Sequence, residues 1–376
     1  MALYILILLI FVAAIGVYFY FRLKRLAKFY KIKIEKIPAK IIHIILTVVI
    51  TFFSVNIFHI SAIVLLHIIG ISACLDILVF GVCKIRNSKV LKQKTASMSL
   101  TTVCGKIYEC GIIPILISAV ILGYGYLNMK NVVETNYVIE TDKIQDDEYR
   151  VAIITDTHYG TIQDKEVLRK KCVEISKKNP DIVILGGDIV EEGTSKADMQ
   201  EVFQLLGGIE SRYGIYYVYG NHDRQPYTNN RTFSNEELER AIIENNIKIL
   251  EDEYVNIGED LILAGRGDAA WEKNSSRASV EKILEGADRS KYIIVADHQP
   301  LEAEENSSQG VDLEVSGHTH AGQIWPVGFI NELMGTLNYG MYEEENCKVI
   351  VSSGFAGWRY PIRTGEHSEY VIVDIK

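Results

Sequence analysis

The chain has 376 residues, of which 48% are hydrophobic, and its formal net charge of −9 is unevenly distributed. Residues 1–128 contain three acids against fourteen lysines and arginines, a net charge of +11, whereas residues 129–376 carry a net charge of −20. An apolar, basic front half joined to an acidic back half excludes a simple cytosolic enzyme, a disordered chain and a fibrous repeat. The acidic half also argues against nucleic acid as a partner, because such binding needs lysine and arginine to displace counterions.

The front half contains four apolar segments that are long enough to cross a membrane. They cover about residues 2–21, 41–58, 61–82 and 108–127, and a helix of about 20 residues spans the hydrocarbon core of a bilayer. No basic stretch precedes the first segment and no small-residue cleavage site follows it, so we expect a retained helix rather than a signal peptide. The two middle segments are expected to be separated by a tight turn near Asn56–His59.

The charged loops between these segments predict an orientation. Residues 22–40 carry a net charge of +7 and residues 84–106 a net charge of +6, and loops rich in lysine and arginine stay in the cytoplasm. We therefore expect a multi-pass protein of the plasma membrane whose acidic half is extracytoplasmic. His67 and Asp76 lie within predicted spans, where an ionisable group makes a structural polar contact or belongs to a substrate or proton path.

From about residue 133 the sequence alternates between strands and amphipathic helices, which predicts an α/β domain with more than one sheet. Five groups of polar residues follow predicted strands directly, at the place where open α/β sheets collect their functional sites. These groups are Asp156 with His158, Asp188, Asn221 with His222 and Asp223, His298, and His318 with His320.

The residue types in these groups predict a metal site. Imidazole, carboxylate and amide ligands without thiolates favour Mn, Fe or Zn over a structural zinc site. Their number fits two divalent ions, a shared carboxylate, a bridging hydroxide as the nucleophile, and one histidine left for acid catalysis. Any one group alone would indicate no more than a surface turn, whereas five groups in order at strand ends indicate a site.

Residues 149–376 resemble the calcineurin-like metallophosphoesterases, and in particular the membrane-attached branch of that family. The matching motifs are Asp156-Thr157-His158, Gly187-Asp188, Gly220-Asn221-His222-Asp223, His298 and Gly317-His318-Thr319-His320. The resemblance implies a four-layer αββα sandwich with two mixed β-sheets. We therefore expect a transmembrane region over residues 1–128 and a metallophosphoesterase domain over residues 129–376.

The resemblance also implies a role for each motif residue. The residues that would each hold a single ion are Asp156, His158 and His320 for the first metal, and Asn221, His298 and His318 for the second. Asp188 would bridge the two ions. His222 would contact the phosphate and protonate the leaving oxygen, with Asp223 helping to orient it. Ala321 departs from the family, in which a glycine is common after the last histidine, and this leaves the geometry of that loop open.

Two arginines near the C-terminus are candidates for binding a phosphate. Arg359 and Arg363 lie in a stretch that resembles the Pro-x-Arg segment of such domains, and either guanidinium can clamp a phosphate with two hydrogen bonds. The alternative is a surface arginine paired with one of the many acids.

These features predict a membrane-anchored, metal-dependent phosphoester hydrolase. We expect a phosphoester carried on a lipid, such as a phospholipid or glycolipid phosphate, or held at the membrane surface. The reason is that only about five to ten residues separate the last predicted span from the first predicted domain strand, Asn136–Glu140. The alternatives are a non-catalytic membrane receptor that uses the fold for binding, and an accessory domain of a transporter. Whether a monoester or a diester is cleaved stays open.

Overall fold

The computed structural model describes residues 2–86, 108–144, 148–271 and 277–376. The chain divides into two compact units, Met1–Gly123 and Tyr124–Lys376, and each is described by itself. Most of the predicted positive loop at 84–106 lies outside the described residues.

The first unit consists of helices. They are α1 (Ala2–Phe29), α2 (Ile37–Val55), α3 (Ile60–Arg86) and the first part of α4 (Ile112–Lys130). In the described part of the chain, three segments are long and apolar enough to cross a membrane: Ile37–Val55, Ile60–Val82 and Ile112–Lys130. The structure thus has three candidate spans and not the four that were predicted. The predicted span 2–21 lies within α1, where the side chains of residues 2–5, 7 and 8 are outside the described part.

Ionisable side chains of the first unit are held by contacts within that unit. Asp76 lies 2.6 Å from Arg25 Nη1 and accepts a hydrogen bond of 3.0 Å from the hydroxyl of Tyr18. His67 Nδ1 donates to the carbonyl of Ile63, one helical turn earlier, at 2.7 Å. These contacts favour a structural role for both groups over a proton path.

The second unit contains, in its described residues, two six-stranded sheets. The first sheet has the order β1 (Val132–Ile139), β12 (Ser368–Ile375), β2 (Tyr149–Ile154), β3 (Ile182–Leu185), β4 (Ile215–Tyr217), β5 (Ile247–Ile249). The second sheet has the order β10 (Gly340–Glu344), β11 (Cys347–Val351), β9 (Leu313–Ser316), β8 (Tyr292–Ala296), β7 (Leu261–Gly265), β6 (Glu253–Ile257). Both sheets are mixed: β12 is antiparallel to β2, and β10 and β6 run antiparallel to their neighbours, while the other pairs are parallel.

Helices cover the outer faces of the two sheets. They are α5 (Lys165–Ser176), α6 (Lys196–Gly207) and α7 (Asn235–Glu244) on the first sheet, and α8 (Val280–Ile283) and α9 (Ala303–Ser308) on the second. A further helix, α10 (Val327–Leu333), follows the 3₁₀ turn His320–Gly322. The capping box that Ser234 and Glu237 predict at the start of α7 is confirmed, since each side chain accepts a hydrogen bond from the other residue's backbone N–H.

Alternating side chains of the strands build three hydrophobic cores. In β2, Ala152 and Ile154 pack with the helices outside the first sheet, whereas Val151 and Ile153 point into the core between the sheets. The second sheet repeats this pattern with its own outer helices. Because successive residues of a strand face opposite sides, strands that are buried on both faces produce the predicted order of helix, sheet, sheet and helix.

Candidate metal centre

The carboxyl ends of parallel strands from both sheets lead to the candidate site. In the first sheet β2, β3 and β4 are parallel neighbours, and in the second sheet β8 and β9 are parallel neighbours. The residues that follow these strands are Asp156, Asp188, Asn221, His298, His318 and His320. Side chains that are far apart in the sequence are therefore brought together at the strand ends.

The first ligand group consists of Asp156, His158 and His320. Their ligand atoms lie within 4.8 Å of one another, and all three residues are buried. The Nε2 atoms of His158 and His320 are 3.3 Å apart, and His320 Nε2 is 3.5 Å from Asp156 Oδ1. Two imidazoles and a carboxylate that face each other in this way suit a shared cation.

The second ligand group consists of Asp188, His298 and His318, whose ligand atoms also lie within 4.8 Å of one another. Asp188 Oδ2 is 3.2 Å from His298 Nε2 and 3.9 Å from Nε2 of His158 in the first ligand group. Asp188 therefore lies between the two groups, where a bridging carboxylate is needed. Asn221 is buried, and its Oδ1 has no hydrogen-bond partner among the described residues.

Hydrogen bonds to backbone carbonyls select the tautomer of two histidines. His298 Nδ1 donates to the carbonyl of Gly186 at 2.8 Å, and His320 Nδ1 donates to that of Ala356 at 3.0 Å. A carbonyl oxygen only accepts, so Nδ1 carries a proton in both rings and Nε2 faces the ligand groups. His298 Nε2 has no hydrogen-bond partner in the described part of the chain. The buried Asn221 oxygen, which has no hydrogen-bond partner among the described residues, shows that the residues fit a divalent cation.

Burial and neighbouring charges set the protonation of the ligands. Burial lowers the pKa of His320 to about 3 and also lowers the pKa of His318, so both rings are neutral near pH 7. Burial opposes ionisation of Asp188, but the adjacent His298 outweighs it and holds the pKa of Asp188 well below its usual range. Burial opposes protonation of His298, but the adjacent Asp188 outweighs it and raises the pKa of His298. A metal ion binds the neutral imidazole and the ionised carboxylate, so its binding would displace the proton of His298.

The backbone is strained at five of the candidate ligands. Positive φ angles occur at Asp156 (53°), His158 (40°), Asp188 (51°), His318 (67°) and His320 (49°), a conformation that non-glycine residues seldom adopt. Two glycines permit the close packing that holds it, because a Cβ on Gly317 would lie 2.3 Å from Asp156 Oδ2, and one on Gly220 would lie 2.3 Å from Asp188 Oδ1. Ala321 also has a positive φ of 51°, so the loop keeps the conformation of a glycine although it carries alanine.

His222 lies beside the ligand groups and not within them. Its ring centroid is 5.7 Å from that of His158, and 12% of its side chain is exposed. Glu192 Oε2 accepts a hydrogen bond of 2.7 Å from His222 Nδ1. Glu191 Oε2 similarly lies 3.3 Å from His158 Nδ1. Neither acid was predicted from the sequence, although both follow Asp188 in the same loop, and that proximity is the signal that could have indicated them.

Asp223, which was expected to help orient His222, contacts backbone N–H groups of two loops. Its buried carboxylate contacts four backbone N–H groups, which belong to Asp188, Ile189, Val190 and Gly220. Asp223 thus ties the loop after β3 to the loop after β4, and Glu192 orients the ring of His222. Burial and the nearby Asp188 raise the pKa of Asp223 to about 6.

The two candidate arginines differ in their surroundings. Arg363 is fully buried, and its guanidinium donates to four backbone carbonyls, those of His320, Ser353, Ala356 and His367. Its predicted role as a phosphate clamp, and the alternative of a surface ion pair, are therefore both wrong, because Arg363 supports the loop that carries His320. Arg359 is exposed and lies 4.8 Å from the ring of Trp358, whose ring in turn lies 5.4 Å from that of His222. Arg359 stays a candidate for contacting the substrate.

Comparison with known proteins identifies relatives of this chain. A family profile described as calcineurin-like phosphoesterase matches residues 149–322. The chain is similar to an uncharacterized metallophosphoesterase of Helicobacter pylori, with 32% identity over 228 residues, which are 60% of this chain and 59% of that protein. It thus spans less than two thirds of that relative. It is also similar to an uncharacterized metallophosphoesterase of Aquifex aeolicus, with 30% identity over 266 residues, 69% of this chain and 97% of that protein. A transmembrane protein with metallophosphoesterase domain from Danio rerio is 29% identical over 314 residues, 79% of this chain and 69% of that protein.

Proposed function

Because the chain belongs to the calcineurin-like metallophosphoesterase family, we propose that its second unit hydrolyses phosphoesters with the help of two divalent metal ions. The observation that carries this proposal is the position of Asp188, whose Oδ2 lies 3.2 Å from His298 Nε2 and 3.9 Å from His158 Nε2. One carboxylate shared by two buried ligand groups supports a dinuclear centre. The nitrogen and oxygen ligands suit Mn, Fe or Zn.

The two ligand groups and the residues beside them would divide the chemistry. Two divalent ions held by Asp156, His158, Asp188, Asn221, His298, His318 and His320 would supply a hydroxide nucleophile and neutralise charge on the phosphate. His222 would protonate the leaving oxygen, because its partly exposed ring borders the ligand groups and can reach a bound ester. Glu192 would hold that ring in place through its hydrogen bond to Nδ1. Arg359 would bind a phosphate oxygen from the Trp358 side.

We also propose that the second unit is extracytoplasmic and that the protein lies in the plasma membrane. The support is the loop at 84–106, which carries a net charge of +6 and directly precedes the candidate span Ile112–Lys130. A loop of this charge stays in the cytoplasm, so the chain after α4 lies on the other side.

The proposed substrate is a phosphoester carried on a lipid or held at the membrane surface. α4 ends at Lys130 and β1 begins at Val132, so a single residue links the last candidate span to the first strand. This strand starts earlier than the predicted Asn136–Glu140. The segment between the span and the strand is therefore shorter than the predicted five to ten residues, each of which can extend it by at most about 3.5 Å. A substrate confined to the membrane would meet the site at a raised effective concentration, whereas a soluble one gains nothing from such a tether.

Metal analysis of the purified full chain, combined with a substrate panel, tests this function. Phosphomonoesters, phosphodiesters and lipid phosphates are compared in mixed micelles, and each lipid is paired with a soluble analogue that has the same headgroup and short acyl chains. We expect two bound divalent ions and faster turnover of the long-chain member of a pair. Turnover of soluble esters without turnover of any lipid phosphate would contradict the lipid substrate and leave the hydrolase intact. Bound metals without turnover of any ester would instead favour the non-catalytic receptor.

A further inference from the structure

Helix α10 of the second unit and the residues that flank it expose large apolar side chains. The exposed fractions are 70% for Trp325, 60% for Phe329, 46% for Ile330, 72% for Leu333 and 77% for Met334. No residue of α10 is buried. Leu333 lies four positions after Phe329 and three after Ile330, and Met334 lies four after Ile330, so these four residues share one side of the helix. We call these five residues the apolar ridge. A patch of this kind marks an interaction site in a folded protein.

The opposite side of α10 packs against the loop that carries His320. A Cβ on Gly328 would lie 2.6 Å from the carbonyl oxygen of Ala321, so the helix backbone directly contacts this loop. Asn331 Nδ2 donates to Asn338 Oδ1 at 3.3 Å on the same side. Gly328 and Asn331 of α10 therefore face the protein, whereas the large apolar residues and Glu332 are exposed. This arrangement is the reverse of a helix that packs on the core of a soluble domain.

The apolar ridge lies next to the end of α4. The last turns of α4, from Tyr124 onward, belong to the second unit. Gly125 in these turns accepts a hydrogen bond of 3.0 Å from the backbone N–H of Arg363, and a Cβ on Gly125 would lie 2.8 Å from Cγ2 of Thr364. Thr364 Oγ1 in turn accepts a hydrogen bond of 3.1 Å from the backbone N–H of Trp325. One residue thus connects the ridge to the helix that forms the last candidate span.

The end of α4 has the composition of a membrane interface. Tyr124 and Tyr126 are exposed, and the ammonium group of Lys130 lies 4.7 Å above the ring of Tyr126. Tyrosine and lysine at the end of an apolar helix are typical of the headgroup region. Because Trp325 is connected to this part of α4 through Thr364, the start of the apolar ridge lies close to it.

We propose that the apolar ridge inserts into the lipid interface beside the end of α4. The second unit would then be held at the bilayer by two elements, the covalent span and the side of α10. The partner is a lipid surface, because the five ridge residues are uncharged and large, as in helices that lie in the interface. The inference does not depend on the proposed activity. The ridge is linked to the candidate metal site only through the chain, because α10 follows the turn that carries His320.

Quenching of tryptophan fluorescence by brominated lipid tests this proposal in the full chain. The variant W271F/W358F keeps Trp325 as the reporter, and it is reconstituted in nanodiscs of phosphatidylcholine with or without bromine on the acyl chains. A matched control carries Ile243→Trp in a chain whose three native tryptophans are replaced by phenylalanine. Ile243 is exposed on α7, before β5, at the opposite edge of the first sheet from β1.

We expect bromine to reduce the emission of Trp325 and to leave the control at position 243 unchanged. Replacing both Leu333 and Met334 by serine should shift the emission of Trp325 to the red and reduce its quenching, without unfolding the unit, since both side chains are more than 70% exposed. Absence of quenching at Trp325, or equal quenching at both positions, would overturn the proposal. If the burial of Trp325 depended on protein concentration and not on brominated lipid, the ridge would contact a second copy of the chain. This result would also overturn the proposal.

Discussion

Glu192 is expected to set the efficiency of His222 without contributing to metal binding. Its Oε2 lies 2.7 Å from His222 Nδ1, and the exposed side-chain fractions of Glu192 and His222 are 20% and 12%. Glu192→Gln keeps the shape of the side chain but removes its charge, so the imidazole loses a charge-assisted acceptor. Hydrogen bonds to charged groups contribute about 1.5–3 kcal/mol, which corresponds to a decrease in kcat of about 10- to 150-fold.

The assay is hydrolysis of a chromogenic phosphodiester by the full chain in detergent with saturating divalent metal, accompanied by metal analysis. The matched control is Glu251→Gln, which removes the same charge from an ion pair of 2.9 Å with Arg224, and its kcat should equal that of the wild type. In a His222→Ala background, Glu192→Gln should cause little further loss, because the two residues act as one unit.

Three results would refute this reasoning. One is a Glu192→Gln variant with the kcat of the wild type. Another is an equal loss of kcat in the presence and absence of the His222 imidazole. The third is a loss of bound metal in Glu192→Gln, since the carboxylate would then act on the ligand groups and not on His222.

The other predictions concern the metals, stability and topology. Asp188→Asn should abolish turnover and lower metal content, whereas His222→Ala should keep the metals and lose most activity; full activity of Asp188→Asn with both metals bound would contradict the bridging role. Burial and the nearby Asp297 raise the pKa of Glu314 from 4.5 to about 7, so the folded state binds this proton more tightly and loses stability as pH rises through 7. Glu314→Gln should therefore stabilise the protein against thermal unfolding by up to about 3 kcal/mol at pH 8 and much less at pH 5, and an equal effect at both pH values would count against this. A reporter that is active only outside the cytoplasm should be active when fused after Lys376; a second unit that external protease cleaves only after lysis would rule out the proposed topology.

Features that depend on neighbouring residues in the chain could be predicted from the sequence. Apolar segments long enough to cross a membrane are a property of composition over about 20 residues, and the turn between Val55 and Ile60 follows from their combined length. The capping box at Ser234 and Glu237 involves residues three positions apart. The two mixed sheets were indicated by alternating strands and helices, together with the family resemblance. The seven candidate metal ligands could be identified because each follows a strand that can be recognised from its own run of apolar residues.

The partners of buried polar side chains were decided by the tertiary structure. Arg363 donates to carbonyls of residues 4 to 43 positions away. No local pattern therefore distinguishes it from Arg359, which was also predicted to bind phosphate. Glu192 and Asp223 are both acids near motif residues, and only the packing of two loops decides which one reaches the ring of His222.

The same holds for pairings between distant segments. β12 lies between β1 and β2, so the C-terminal strand is inside the first sheet. The sequence could not predict this position, because the hydrophobic alternation within a strand is the same for every order of strands. Likewise, the sequence of α10 indicates only an apolar segment, and the packing of the helix decides which of its sides is covered. A hydrophobic pattern specifies that a side chain leaves water, whereas its partner depends on which distant segments the whole chain brings together.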